Sequence, residues 1–426
     1  MYTLEDWVRH GDELRRPLLV SKGLADSESL GIVGGGLSGL SLAYRIGLER
    51  PDLPIKLIEK TGRLGGVIET WREGEWVCDI SVNAVRPHPS FWRLVDDLGM
   101  SDSFGPSRGI ASSRWIILRG GKHRISPATI LKIGAFGFLR GVFNSRKVGS
   151  SVLDVLQNRE IADAMTLGIV NDTADQVDAN FLFPSLTGFG PKAPISRRSL
   201  RKKISKSYPI FTPRKGSLAS LEGGMEDIIR VLHDTISKMG NVEIILENGE
   251  GGPEELSSAY DIPISSMIWT SSLPGRDHGE TTLSVFAVGF QEEEVSGVEI
   301  GYGTLIPDPN TPISGILHES DIHSSRRAPE GHRLFRLMVP HTRWDGNEQT
   351  VREALRVLNG FSGEPAIFRR IGERAIPRYP PGYLSSLKNY AGDLSLAGWT
   401  GSGVSVTHVV DEAERISELF TRLQKD

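Results

Sequence analysis

Leu30-Gly31-Ile32-Val33-Gly34-Gly35-Gly36-Leu37-Ser38-Gly39-Leu40 is the stretch on which the fold of this chain turns. The apolar run Leu30–Gly34 passes into glycines. Leu40–Leu48 then carries apolar side chains at helical spacing, until Pro51 closes the pattern. Ile55–Glu59 follows as a second buried strand. Strand, glycine turn, helix and strand within about thirty residues make one βαβ unit. Gly34, Gly36 and Gly39 form its G-x-G-x-x-G. The first glycine permits the tight turn, the second lets a pyrophosphate approach the backbone, and the third lets helix and strand lie close. Gly35, Leu37 and Ser38 complete the turn, where the helix start offers free N–H groups and partial positive charge. Glu59 ends the second strand where a ribose 2′-hydroxyl needs an acceptor, and its carboxylate disfavours a 2′-phosphate. Alone, the glycine pattern also fits an incidental turn; its place between strand and helix favours a dinucleotide other than NADP.

Around this unit the chain reads as an ordinary α/β protein. Its 426 residues, 38% hydrophobic and 24% charged, suffice for two or three domains. The single cysteine, Cys78, excludes an intrachain disulfide, and no Cys/His cluster has metal-ligand spacing, so no metal is expected. A reducing, cytoplasmic setting follows. The first thirty residues lack the apolar stretch of a secretory signal, and Glu5, Asp6, Asp12 and Glu13 argue against a transit peptide. No apolar run reaches the roughly 18 residues that span a bilayer. Further along, Met225–Met239 and Val406–Leu423 have helical patterns. Val242–Leu246, Met267–Thr270, Leu283–Phe290, Leu334–Val339 and Leu394–Ala397 read as strands, and Leu305–Pro312 as a turn.

Two segments at opposite ends carry a resemblance. Glu59-Lys60-Thr61-Gly62-Arg63-Leu64-Gly65-Gly66, with Val67 after it, resembles the E-x-x-x-R-x-G-G run of FAD-dependent amine oxidases, desaturases and protoporphyrinogen oxidases. Leu396-Ala397-Gly398-Trp399, followed by Gly403-Val404-Ser405-Val406, resembles the closing segment of the same flavoproteins. In that resemblance a second helix start faces the flavin, where positive charge favours its reduced, anionic form. Internal stretches are similar to protoporphyrinogen oxidases in particular: Leu218–Met225 with its Glu222-Gly223-Gly224, Gly301–Pro307 with Gly315-Ile316-Leu317, Ile376-Pro377-Arg378-Tyr379 with Gly382-Tyr383, and Phe183-Pro184-Ser185-Leu186. The resemblance covers about residues 30 to 425 and implies FAD as cofactor, a tetrapyrrole as substrate and O2 as electron acceptor. Amine oxidases usually place a lysine near the flavin, whereas no lysine lies between Lys238 and Lys388.

The resemblance also implies an apolar slot, cations for propionates, and access from a membrane. Residues 103–153 and 179–221 contain lysines and arginines and no acidic residue. Within them, Ile133, Phe136, Phe138, Leu139, Val142 and Phe143 alternate with Lys132 and Arg140, as on a helix lying at a membrane surface. An internal helix with basic ends has the same pattern. Arg197, Arg198, Arg201, Lys202, Lys203 and Lys206 form the densest run, read as a solvated face or a site for anionic headgroups. Nucleic acid is disfavoured, since no binding-fold signature accompanies the charge. One departure concerns the substrate. Asn83 stands where some relatives have a propionate-binding arginine, and Arg86 is the nearby substitute. Ser272 resembles the adenine-side turn before Pro274, and the hairpin expected between Val242 and Met267 looks shortened.

The expected architecture is α/β: an FAD-binding Rossmann-type domain of the amine-oxidase kind, an α+β substrate domain and a helical membrane-facing insertion. Its parts are an arm at 1–29, FAD-binding segments at 30–102, 216–272 and 386–426, a basic helical section at 103–215, and a substrate domain at 273–385. The expected activity is FAD-dependent oxidation of protoporphyrinogen IX to protoporphyrin IX by a peripherally membrane-associated enzyme. The flavin carries the chemistry, so no catalytic side chain is singled out. The alternatives are a desaturase-like or amine-oxidising enzyme on another lipophilic substrate, and a non-catalytic flavin-fold protein that binds membranes.

Overall fold

In a computed structural model of the chain, residues 16–86, 88–118, 120–126, 149–182, 187, 218–271, 278–358, 360–388 and 390–422 are described. A five-stranded parallel sheet forms the first layer, in the order Ser395–Leu396, Met267–Trp269, Leu30–Val33, Ile55–Ile58, Val242–Ile245. Its strands are short and apolar because helices cover them. The helix Leu37–Glu49 follows the first strand and is buried along nearly its whole length. Against it packs Val406–Arg422, whose Val409, Val410, Ala413, Ile416 and Phe420 repeat at helical spacing and are buried. Each such large apolar side chain contributes roughly 1.5–3 kcal/mol through burial. Glu226–Ile236 covers a neighbouring stretch with Ile228, Ile229, Leu232 and Ile236.

Seven strands make the second sheet, in the order Ile367–Pro377, Glu280–Gln291, His332–Pro340, Gly315–Leu317, Gly303–Leu305, Arg114–Leu118, Gly121–Arg124. Glu280–Gln291 is antiparallel to both its neighbours. The hairpin Thr70–Glu73/Trp76–Asp79 joins the sheets: Cys78 packs with Ala287 and Leu334, and Ile80 with Leu283, Val285 and Ile376.

Most elements lie where the sequence places them, with ends shifted by up to three residues. Three differences are informative. Val242–Ile245 and Met267–Trp269 form no hairpin; they lie on opposite sides of the Leu30–Val33 strand and are joined by a crossover containing the helix Pro253–Tyr260. Ile367–Pro377 is a long edge strand hidden from pattern reading by Arg369, Arg370, Glu373 and Arg374. Arg114–Leu118 and Gly121–Arg124, within the section expected to be helical, extend the seven-stranded sheet; the helices Val152–Leu156 and Arg159–Val170 follow. The surface helix expected at 130–143, the basic run at 197–206 and Phe183–Leu186 lie outside the described residues. Among the described residues no helix is long and apolar enough to cross a membrane, and no group of His, Cys, Asp or Glu could hold a metal ion.

Candidate active site

The glycine turn is shaped by backbone meeting backbone. Gly34 has φ +109, and a methyl group there would meet Thr270 Oγ1 at 2.6 Å. One on Gly39 would sit 1.9 Å from the Gly34 carbonyl oxygen, so this glycine is what lets the helix begin against the strand. Gly36 differs, since a Cβ there would meet nothing closer than the Gly66 Cα at 3.9 Å. It faces open space that a phosphate could enter. Gly65 donates its N–H to the Gly35 carbonyl at 2.8 Å and bridges to Gly36, so both glycine turns form one cradle.

Side chains hold this cradle from outside. Glu59 accepts the Gly35 N–H at 2.7 Å, the Thr61 N–H at 2.9 Å and the Thr61 hydroxyl at 2.8 Å. Its carboxylate is therefore fixed at the strand end, with lone pairs left for ribose hydroxyls. Arg63 donates to the carbonyls of Leu64, Ile68 and Gly66, so it staples the Gly65-Gly66 turn. Val67 is half-buried and its carbonyl accepts the Ser81 hydroxyl, while Lys60 is exposed. Ser272 lies outside the described residues.

The closing segment meets the cradle from the other end of the chain. A Cβ on Gly398 would lie 3.0 Å from Ser38 Oγ, and that hydroxyl is buried with no hydrogen-bond partner among the described residues. An orphaned hydroxyl where two glycine loops and two helix starts meet fits an anionic, multiply accepting group such as a pyrophosphate. After Gly398 come Trp399 and Thr400, both half-buried, then Gly403 at φ +68 and Val404, Ser405 and Val406, half-buried at the helix start.

Sequence reasoning missed the clamp on this loop. The Tyr379 hydroxyl donates to the Trp399 carbonyl at 3.1 Å, and the Tyr383 hydroxyl to that of Thr400 at 2.9 Å. Arg16 donates to the Gly401 carbonyl at 3.1 Å and the Phe181 carbonyl at 2.6 Å, and its guanidinium lies 4.3 Å above the Phe181 ring. Phe181 stacks on Tyr379 at 4.2 Å. Three successive carbonyls are thus occupied from behind. Tyr383 is expected beside the cofactor and Tyr379 stands in the same 376–383 motif, whereas Arg16 and Phe181 come from segments that no local motif connects. Glu412 was also missed. It sits behind the loop, and burial raises its carboxyl to about 7 although the Gly398 N–H, Ser402, Arg415 and Arg16 pull it down.

On the substrate side, Asn83 is buried with its Nδ2 unpartnered among the described residues, whereas Arg86 is exposed. The structure does not bring Arg86 into the interior beside Asn83.

Residues 32–98 match the NAD(P)-binding Rossmann-like domain family. A solved structure of a protein provisionally called a protoporphyrinogen oxidase, from Exiguobacterium sp. 255-15, superposes with a TM-score of 0.64 at 17% identity, covering 93% of this chain and 99% of the other. At that identity the likeness shows the fold, a Rossmann-type nucleotide-binding domain joined to a second, mostly antiparallel sheet. Coproporphyrinogen III oxidase from Staphylococcus aureus (strain NCTC 8325 / PS 47) is 21% identical over 85% of this chain and 91% of its own length. Protoporphyrinogen oxidase from Schizosaccharomyces pombe is 24% identical over 89% and 95%. The chain is thus similar to porphyrinogen oxidases over most of its length and theirs.

Proposed function

We propose that the chain oxidises protoporphyrinogen IX to protoporphyrin IX, with O2 as the final acceptor and hydrogen peroxide as product. One observation carries the reading: relatives that span 85% and 89% of the chain, one bacterial and one fungal, are both named porphyrinogen oxidases. Bound FAD would supply the hydride acceptor. The chain's own residues do the rest. The Gly34–Gly39 and Gly65-Gly66 turns seat the cofactor, Glu59 fixes the ribose, and the clamped loop 398–403 brings a second helix start to the first. The Staphylococcus aureus relative favours a second reading, coproporphyrinogen III, which bears more propionates.

Purified, FAD-loaded protein given each porphyrinogen under anaerobic conditions should bleach its flavin band, and on admission of air form porphyrin faster than autoxidation. Full flavin loading with no bleaching by either substrate would remove the tetrapyrrole reading and leave a desaturase-like, amine-oxidising or non-catalytic flavoprotein. The basic section at 103–215 supports association with an anionic membrane. Vesicle flotation checks it: charge reversal across Arg197, Arg198, Arg201, Lys202, Lys203 and Lys206 should abolish binding to anionic vesicles, and unchanged flotation would end that part of the reading.

A further inference from the structure

Glu247-Asn248-Gly249-Glu250-Gly251-Gly252 leads out of the strand Val242–Ile245 and lies against the nucleotide-binding unit without belonging to its glycine motif. Glu247 sits at φ +56, a left-handed conformation uncommon for a residue with a side chain, and Gly249 and Gly251 both sit at φ +116. Asn248 is exposed. Its side chain bonds only within the loop, where Nδ2 donates to the Leu246 carbonyl at 3.1 Å. The backbone N–H of Gly249 donates to nothing among the described residues.

An exposed asparagine before a glycine is open to attack by its own main chain. The nucleophile is the backbone nitrogen of the following residue. An N–H held in a helix or ladder cannot turn to attack, and a side chain on that residue obstructs the approach. Gly249 has neither impediment. A bond from its nitrogen to Asn248 Cγ closes a succinimide ring, Nδ2 leaves as ammonia, and the Gly249 proton passes to water. Water then opens the ring at one of its two carbonyls. One opening gives aspartate; the other gives isoaspartate, in which the main chain runs through the former side chain. Water is consumed and ammonia released, and nothing is oxidised or reduced. The second Asn-Gly pair of the chain begins at Asn359, outside the described residues.

What gives this chemistry a consequence is the place of the loop. The Asn248 N–H donates to the Glu59 carbonyl at 3.1 Å, and the Glu247 N–H to the Thr61 carbonyl at 3.1 Å. Gly249 passes so near the strand end that a Cβ on it would lie 3.1 Å from Ile58 Cγ2 and 3.4 Å from the Lys60 nitrogen. Isoaspartate inserts an extra main-chain carbon between these two fastenings, where close packing leaves no room for it. Residues 58–60 must then shift, and with them the Glu59 carboxylate that accepts the Gly35 N–H. We infer that Asn248 is a site of self-modification, and that its conversion to isoaspartate loosens the nucleotide cradle. The effect on cofactor rests on the FAD reading; the modification does not.

The test ages the full, folded chain for days at mildly alkaline pH, beside Asn248→Ala, which cannot form the ring at 248 and keeps Asn359. Peptide mapping should find isoaspartate at position 248 of wild type. After removal of bound cofactor, FAD is titrated back and followed by its fluorescence. Fresh wild type and fresh Asn248→Ala should bind alike. Aged wild type should bind at least about tenfold more weakly than aged Asn248→Ala, because the displaced Glu59 carboxylate is a charge-assisted acceptor. No isoaspartate at 248 in the folded chain would overturn the site. So would an aged wild type that is converted at 248 and still binds FAD as tightly as fresh protein. If fresh wild type takes up no FAD, the flavin reading has failed, and thermal melting of the FAD-free chain becomes the readout. Aged wild type melting below aged Asn248→Ala then upholds the loosening, and equal melting temperatures remove it.

Discussion

The carboxylate of Glu412 accepts the backbone N–H of Gly398 at 2.6 Å, from within the helix that follows the loop. It is buried, 3% exposed, and its Oε1 lies where a Cβ on Gly401 would have to go, at 2.4 Å. Strand end, loop and helix are thus tied by one ionisable group at the point where the closing segment faces Ser38. Arg16 and Arg415 are the nearby cations and Ser402 the nearby hydroxyl, yet burial prevails and the carboxyl titrates at about 7 instead of near 4.5.

This makes stability depend on pH in a defined direction. The folded chain binds the Glu412 proton more tightly than the unfolded chain, so the contribution is complete below pH 4.5 and is lost as pH rises through about 7. The span is about 3 kcal/mol. Glu412→Gln keeps an acceptor for the Gly398 N–H and cannot ionise. Its melting temperature should fall less than that of wild type between about pH 5 and about pH 8. Parallel melting curves for both proteins over that range would show that Glu412 does not titrate there.

Gly36 and Gly39 should fail differently when enlarged. Gly36→Val places its side chain in open space beside Gly66, so the chain should fold with a near-normal melting temperature and purify colourless. Gly39→Val drives a side chain into the Gly34 carbonyl and should lower stability by several kcal/mol, on the order of other overpacked core sites. A yellow Gly36→Val protein with stoichiometric FAD would displace the phosphates from this turn.

Glu59→Ala removes the acceptor shared by Gly35, Thr61 and the expected ribose. FAD affinity should drop by about tenfold or more, in line with the loss of charge-assisted hydrogen bonds. Titrating apoprotein with FAD by flavin fluorescence measures it, and Glu59→Gln should recover part of the loss.

Tyr379→Phe leaves the Trp399 carbonyl without its donor and should cost about 1 kcal/mol. Arg16→Ala removes two hydrogen bonds and the cation over Phe181 and should cost more, about 2 kcal/mol or above. Denaturant unfolding of the FAD-free proteins ranks the two. An Arg16→Ala protein as stable as wild type would show that the N-terminal segment does not brace the loop.

The nucleotide-binding unit was legible in the sequence because its physics is local. Gly34, Gly36, Gly39 and Glu59 lie within one βαβ unit, where a turn, a helix start and a strand end are fixed by neighbours a few residues away. The closing segment was legible for the same reason: a strand, two glycines and a helix follow each other directly from Leu396 to Val406. Where charge masked a strand, as in Ile367–Pro377, period alone could not find it. The sheet it borders supplies the burial that its own residues do not advertise.

What the sequence determined, then, was the cofactor fold: two glycine-rich helix starts whose residue order leaves little freedom. What only the tertiary structure decided was which distant groups meet there. Arg16 and Gly401 are joined across 385 residues, and Arg374 reaches Ser81 across 293. Neither pairing leaves a periodic or spaced signature, because it depends on how two sheets are set against each other. The energy of a buried charge is fixed by its surroundings in space, and those surroundings come from segments remote in the chain.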